Sequence, residues 1–81
     1  MKLAEVRRLA AERGLSAQLN VQPFDYGAKY GIAAFAKNYE TGVRTIQTTP
    51  QRVLAANLEL GIETVLQELG FKLLELTKEG G

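Results

Sequence analysis

Aromatic and basic side chains alternate in one stretch of the chain, residues 24–42. Its sequence is FDYGAKYGIAAFAKNYETG, which contains two of the three Phe, all three Tyr, and the lysines Lys29 and Lys37. Ammonium groups neutralise phosphates and aromatic rings stack on bases, so the two kinds of side chain on one surface can bind nucleic acid. A β-hairpin with a polar outer face uses the same residues without any ligand. The choice between these interpretations depends on which side chains share a face.

No arrangement of residues in this chain indicates catalysis. The chain has 81 residues with no Cys and no His, which excludes disulfides and zinc sites built from thiolates or imidazoles. The one serine, Ser16, has no imidazole to activate it. The glycines of DYGAKYG lack the spacing of a phosphate loop, and Glu59 and Glu63 at i, i+4 are typical of a solvated helix face. We therefore predict a protein that is not an enzyme, with no cofactor and no metal.

Length and composition predict a single small domain over residues 1–81. The hydrophobic content of 46% is ordinary for a globular protein, and no apolar run approaches the roughly 20 residues of a membrane span. The start, MKLAEVRRLAAERG, lacks the apolar core of a signal peptide, so we expect a cytoplasmic protein without a membrane partner.

Charge is distributed unevenly along the chain. Residues 26–52 carry four basic side chains and one acidic, whereas residues 53–81 carry two basic and five acidic. Such a bipolar distribution favours an anionic partner or self-association.

Hydrophobic periodicity predicts a helix followed by a strand in the first quarter of the chain. Residues 2–13 have helical spacing, and Gly14 stands where a left-handed residue ends a helix. From Ala17 the period changes to two, until Pro23 removes a backbone donor and ends the strand.

Two more strands are predicted at about residues 29–39 and 43–48. A three-residue turn between them uses Gly42 at positive φ and sets Ala36 opposite Ile46 and Lys37 opposite Thr45. Since side chains alternate along a strand, this register separates two faces. The inner face then contains Ile32, Ala34, Ala36 and Ile46, and the outer face contains Phe35, Lys37, Tyr39, Val43, Thr45 and Gln47, continued by Gln18, Asn20 and Gln22.

A second helix is predicted from Thr49, as N-cap, and Pro50, as first helical residue, to a stop at Gly70. Gly61 in its middle suggests a close approach to the sheet or to the first helix, with a simple kink of the helix as the alternative. The following FKLLELT, residues 71–77, is interpreted as a fourth strand, with an apolar extension as the alternative. The predicted fold is α+β, in the order α-β-β-β-α with this additional strand, and both helices lie on one sheet face.

This order, with a strand-to-helix step at TTPQRVLAA, resembles the layout of double-stranded-RNA-binding domains. Those domains carry a lysine-rich start of the second helix, whereas Arg52 is the only basic residue at that place here. The segment TPQRVLAANLELGIETVLQEL is also similar to the T-P-initiated helix of an antitoxin family in which three strands precede it, although that family lacks the first helix. No functional residue is transferred from either resemblance.

The leading functional hypothesis is a small binding module whose exposed sheet face binds nucleic acid. Lys37, with Lys29 and Arg44 nearby, would neutralise phosphates. Phe35 and Tyr39 would stack on bases. The sequence does not identify the partner or distinguish DNA from RNA.

The alternative hypothesis is a protein-interaction or regulatory module that forms a homodimer through residues 71–77. As a strand, this segment has apolar residues on both faces, and such a strand is rarely left at an open edge. It would pair with its own sheet or with the same segment of a second chain. The interface residues of this alternative are Phe71, Leu73, Leu74 and Leu76.

Overall fold

The computed structural model describes residues 1–42 and 44–76, over which two helices pack on an antiparallel β-sheet. The α+β class and the predicted order of helix, strands and helix are confirmed. The elements are α1 (Leu3–Ala11), β1 (Ser16–Phe24), β2 (Lys29–Lys37), β3 (Thr45–Gln47), β4 (Gln51–Leu54), a 3₁₀ turn (Ala55–Asn57) and α2 (Leu58–Leu74).

Helix α1 ends at the glycine that the sequence indicated. Gly14 has a φ of 74°, in the left-handed region that favours glycine. The amides of Gly14 and Leu15 donate to the carbonyls of Ala11 and Ala10, at 3.1 and 2.9 Å. These two bonds form a Schellman motif, which satisfies carbonyls of the last turn and directs Leu15 into the core.

β1 and β2 form a long antiparallel hairpin. Its nine pairs run from Ser16 opposite Lys37 to Phe24 opposite Lys29. Residues 25–28 form the turn, where Asp25, Tyr26 and Gly27 all have positive φ. Because paired residues point to the same face, even-numbered residues of β1 share a face with odd-numbered residues of β2.

β3 and β4 are two parts of one interrupted strand beside β2. Phe35 lies opposite Gln47, and further along β2 Ile32 lies opposite Gln51. Two residues of β2 between these pairs therefore face three residues, 48–50, of the third strand. One extra residue of this kind is a β-bulge, which shifts the register by one position. Between β2 and β3, before the bulge, Ala36 lies opposite Ile46 and Lys37 opposite Thr45, which confirms the predicted register.

The bulge remains bonded to β2 and reverses the faces of the residues that follow it. The Thr48 amide donates to the Ala34 carbonyl at 3.0 Å, and the Thr48 hydroxyl accepts the Ala34 amide at 3.0 Å. Pro50 has no N–H to leave unsatisfied at the irregular position. Beyond the bulge, Val53 faces the helices and Arg52 faces away from them.

Both helices pack on the same face of the sheet, as predicted, and share one core. Gly61 brings α2 close to the sheet, because a Cβ there would lie 2.8 Å from Ile32 Cδ1 and 3.0 Å from Val53 Cγ1. Of the two approaches that the sequence left open for Gly61, the structure shows the approach to the sheet. The buried apolar residues of this core are Val6, Ala10, Leu15, Ala17, Ile32, Ala34, Ala36, Val65, Leu66, Leu69 and Leu73.

The second helix begins eight residues later than the sequence predicted. Residues 51–54 form β4 rather than the first helical turn, and α2 starts at Leu58 after the 3₁₀ turn. Thr49 and Pro50 belong to the bulge and do not cap a helix. The edge of β2 satisfies the backbone groups of residues 51–54, so pairing with a strand replaces the helix that the local pattern favoured.

The predicted stop at Gly70 and the predicted strand at residues 71–77 are both wrong. Helix α2 continues through Gly70 to Leu74, and Glu75 is its C-cap. The side chain of Met1 packs on Gly70, so this glycine makes room for a contact rather than ending the helix. Leu73 is fully buried because it continues the helical stripe that faces the core. The fourth strand of the sheet is β4, and Thr77 lies outside the described residues.

Candidate nucleic-acid interface

Over residues 1–42 and 44–76, one face of the sheet carries no helix, and we call it the open face. The core residues of β1 and β2 all point to the opposite face, where α1 and α2 lie. The alternation of side chains along paired strands defines which residues belong to the open face. They are the even-numbered residues of β1 from Ser16 to Phe24, the odd-numbered residues of β2 from Lys29 to Lys37, and Thr45, Gln47, Arg52 and Leu54.

At one end of the open face, a lysine lies over two aromatic rings. The Lys37 ammonium is 4.7 Å from the centroid of the Tyr39 ring and 5.9 Å from that of the Phe35 ring. Both distances are within the roughly 6 Å over which a cation is attracted to a ring. The structure thus brings together three of the residues that the sequence singled out, and Tyr39 remains half exposed.

The turn after β2 holds Tyr39 beside this lysine. The Asn38 side-chain oxygen accepts the amide of Glu40 at 2.9 Å, and the Asn38 carbonyl accepts the amide of Gly42 at 2.7 Å. Gly42 has a φ of 68°, which confirms the positive φ predicted for it. The predicted pairing of Tyr39 with Val43 lies outside the described residues.

The other two basic residues of the predicted site lie at different distances from Lys37. Arg44 is close to it, because its carbonyl accepts the amide of Asn38, the residue after Lys37, at 3.2 Å. Lys29 lies at the far end of β2, eight residues and about 26 Å away along the strand. Arg44 comes directly before Thr45, an open-face residue, so the alternation of side chains does not place Arg44 on the open face. The other four predicted residues span the length of that face instead of forming one cluster.

A second cation–aromatic pair, which the sequence did not reveal, lies toward the Lys29 end. The Arg52 guanidinium carbon is 5.4 Å from the centroid of the Phe24 ring. The sequence predicts Arg52 in the first turn of a helix, whereas the bulge places it in β4 and turns it to the open face. The burial of residues 51–54 alternates, but their sequence, QRVL, has two polar residues followed by two apolar ones, so no period-two signal in the sequence identified the strand.

Between the two pairs, the open face is recessed. Gly31 and Ala33 have the smallest side chains of the face, and the depression over them has a volume of about 220 Å³. Asn20 and Gln22 line it from β1. Within residues 1–42 and 44–76, neither amide side chain makes a hydrogen bond to another residue, so both retain free donors and acceptors.

The open face is cationic. Its described residues include Lys29, Lys37 and Arg52 and no acidic side chain. The acidic residues nearest in sequence to its strands, Asp25 and Glu40, lie in the turns at its two ends. The described residues contain no group of acidic side chains that could hold a metal ion. The arrangement can therefore attract a polyanion, stack on flat rings and donate or accept hydrogen bonds between them.

The C-terminal residues of the alternative hypothesis do not form one surface. Leu73 is buried in the core and is not available to a partner, and Leu76 is partly buried against that core. Phe71 and Leu74 are 54% and 51% exposed on the outer side of α2.

Neither helix, over the described part of the chain, has the length and apolar character that a membrane crossing requires.

No family model matches this chain, and no curated protein or solved structure is significantly similar to it. The chemistry of its own surfaces is therefore the basis on which a function can be assigned.

Proposed function

We propose that this protein is a small non-enzymatic binding module whose open face binds nucleic acid. The observation that supports the proposal is the presence of two cation–aromatic pairs on one face of the sheet. Arg52 lies over Phe24 toward one end, and Lys37 lies over Tyr39 and Phe35 at the other. A ring that stacks on a base beside a cation that neutralises a phosphate is the combination that proteins use on nucleic-acid strands.

The contacts of Lys37 are compatible with stacking. A base that stacks on the Tyr39 or Phe35 ring takes the place of the ammonium group on that ring. The ammonium group of lysine stands on a flexible four-carbon chain, so the displaced group can turn to the phosphate of the same nucleotide. The cation–π contact of the free protein is then exchanged for a charge-assisted contact with the backbone.

The composition of the open face favours nucleic acid over a protein partner. The centre of a protein interface is usually depleted in charged residues and rich in large apolar ones. Among the described residues of the face, the only large aliphatic side chain is that of Leu54, and the middle of the face is lined by the amides of Asn20 and Gln22. The three cations among these residues have no acidic neighbour in the same set, which suits a polyanion instead.

The test is the binding of fluorescent oligonucleotides, followed by anisotropy at two salt concentrations. We expect salt-sensitive binding at micromolar concentration that Arg52→Ala weakens. Arg8→Ala is the matched control, because Arg8 is an exposed arginine of α1 on the other side of the molecule. Equal losses in the two variants, or no salt-sensitive binding by the wild type, would contradict the proposal.

One observation favours a second candidate function, a homodimer formed through the outer side of α2. Leu60, Phe71 and Leu74 are all more than half exposed. With Thr64 and Gln67 they occupy positions i, i+4, i+7, i+11 and i+14, the spacing at which helices pair side by side. The homodimer that the sequence analysis offered as an alternative is thus proposed in a changed form, in which two helices pair instead of two strands.

A further inference from the structure

We infer that the open face binds single-stranded nucleic acid and that one base occupies the depression over Gly31 and Ala33. The inference rests on the proposed function, and it specifies the class of ligand and the position of one of its bases. It follows from a glycine that the fold does not need, from the aromatic groups on both sides of it, and from two amides without protein partners.

Gly31 lies in the middle of β2 with no structural requirement for glycine. Its φ is not in the left-handed region, unlike that of Gly14. A Cβ added at Gly31 would meet nothing closer than Phe24 Cε1 at 3.9 Å and the Gln22 carbonyl at 4.0 Å, which are ordinary contacts. A glycine inside a strand is less stable than a residue with a side chain.

Gly31 differs from Gly61 in the space that a Cβ would find. At Gly61 a Cβ would come within 2.8 Å of Ile32 Cδ1, so packing explains that glycine. At Gly31 a Cβ would point away from the helices, into the open depression. A close approach by a ligand is one of the reasons for a glycine inside a strand, and it is the one that fits a glycine facing an open depression.

Aromatic groups stand on both sides of the depression. On one side the Phe24 ring lies beside Gly31, where a Cβ would be 3.9 Å from Phe24 Cε1, and Arg52 lies over that ring. Phe35 follows four residues further along β2, about 13 Å away. A base seated over Gly31 packs against the Phe24 ring, and its phosphate lies near the guanidinium of Arg52. If the nucleic-acid chain continues along β2, its next bases reach Phe35 and Lys37.

The amides of Asn20 and Gln22 can read the seated base. A carboxamide both donates and accepts hydrogen bonds, as the edge of a base does. Both side chains line the depression, and neither is bonded to another of the described residues. Their contacts give a preference among bases and add little to the salt-dependent part of the affinity.

A single strand fits this arrangement and a duplex does not. In a duplex the bases are stacked on each other and their pairing edges are occupied, so they can neither enter a recess in a sheet nor stack on its rings. Unpaired bases can do both.

The experiment compares Gly31→Thr with the wild type in thermal unfolding and in anisotropy titrations. The probes are single-stranded RNA and DNA homopolymers and a hairpin duplex of matched length. We expect Gly31→Thr to keep or raise the melting temperature and to lower single-strand affinity about tenfold, the loss of one stacked base. The control Ala11→Thr, at the exposed end of α1, should bind like the wild type. Asn20→Ala and Gln22→Ala should reduce the differences in affinity between the homopolymers.

The outcomes separate this inference from the proposed function. If the wild type binds no nucleic acid, both are overturned. If the wild type binds and Gly31→Thr binds equally well, or if the duplex binds as tightly as the single strands, only the inference is overturned. Gly31→Ala, which adds a single methyl group with ordinary contacts and no clash, decides the question by the same criteria if the threonine variant does not fold.

Discussion

Arg52 and Phe24 come from opposite edges of the sheet and meet across Gly31, with the guanidinium carbon 5.4 Å from the ring centroid. Phe24 is the last residue of β1 and Arg52 lies in β4, so β2 runs between them. A Cβ at Gly31 would lie 3.9 Å from Phe24 Cε1, an ordinary contact, so the pair does not depend on the glycine. It does depend on the bulge at residues 48–50, since without the extra residue Arg52 would point toward the helices.

The bulge depends on the side chain of Thr48. Its buried hydroxyl accepts the amide of Ala34, and Thr48→Val would leave that amide buried without a partner. We expect Thr48→Val to lower the free energy of unfolding by about 1–3 kcal/mol in urea titrations. The next residue provides the control, because Thr49 is exposed and Thr49→Val should change stability little. Equal unfolding midpoints for the two variants would show that the hydroxyl is not needed.

Two adjacent leucines test the C-terminal part of α2. Leu73 is 0% exposed and Leu74 is 51% exposed. Leu73→Ala should destabilise the protein by about 2–5 kcal/mol, through lost burial and the cavity left behind. Leu74→Ala should cost less than about 0.5 kcal/mol in the monomer. Similar losses in chemical denaturation would contradict the helical arrangement of residues 71–74.

Much of the fold could be predicted from the sequence, because the signals for it are local. Gly14 follows a segment of helical period, and Gly42 lies between two segments predicted as strands. Each of these glycines has the positive φ that the sequence predicts for it. The alternation in β2 correctly separated the inner face, with Ile32, from the outer face, with Phe35 and Lys37.

The errors occurred where a local pattern permits two structures. Thr49 and Pro50 suit the start of a helix as well as a bulge, and the pairing of residues 51–54 with β2 decides between them. Leu73 and Leu74 would lie on opposite faces of a strand, but on a helix Leu73 continues the stripe of Leu69. The Arg52–Phe24 pair could not be foreseen for the same reason, because it exists only once the bulge sets the face of β4.

Lys37 and Tyr39 should contribute to nucleic-acid binding in different ways. Lys37→Ala should weaken binding and reduce the dependence of log K on log salt by about 0.7 for a single strand, because one phosphate contact is lost. Tyr39→Ala should cost about 1–3 kcal/mol through lost stacking and leave the salt slope unchanged. Anisotropy titrations over a series of salt concentrations measure both quantities. The assignment of roles fails if the tyrosine variant changes the slope and the lysine variant does not.

The homodimer alternative makes a separate prediction for α2. If its outer side pairs with a second copy, the wild type should be dimeric at high micromolar concentration in light scattering. Leu74→Lys should then give a monomer, because the half-exposed leucine would lie in the contact. Glu59→Ala, at an exposed position of α2 outside this stripe, serves as the control and should stay dimeric. A wild type that is monomeric at this concentration contradicts the alternative.

The most direct test of the central claim, that the open face binds nucleic acid, is an NMR titration of the ¹⁵N-labelled protein with a short single-stranded oligonucleotide. The account predicts that the largest amide shift changes occur at open-face positions on both sides of the depression, namely Phe24, Gly31, Phe35, Lys37 and Arg52. The amides of α1 and of the outer side of α2 should change little. Shift changes concentrated on the helices, or none at all at millimolar oligonucleotide, would contradict the account.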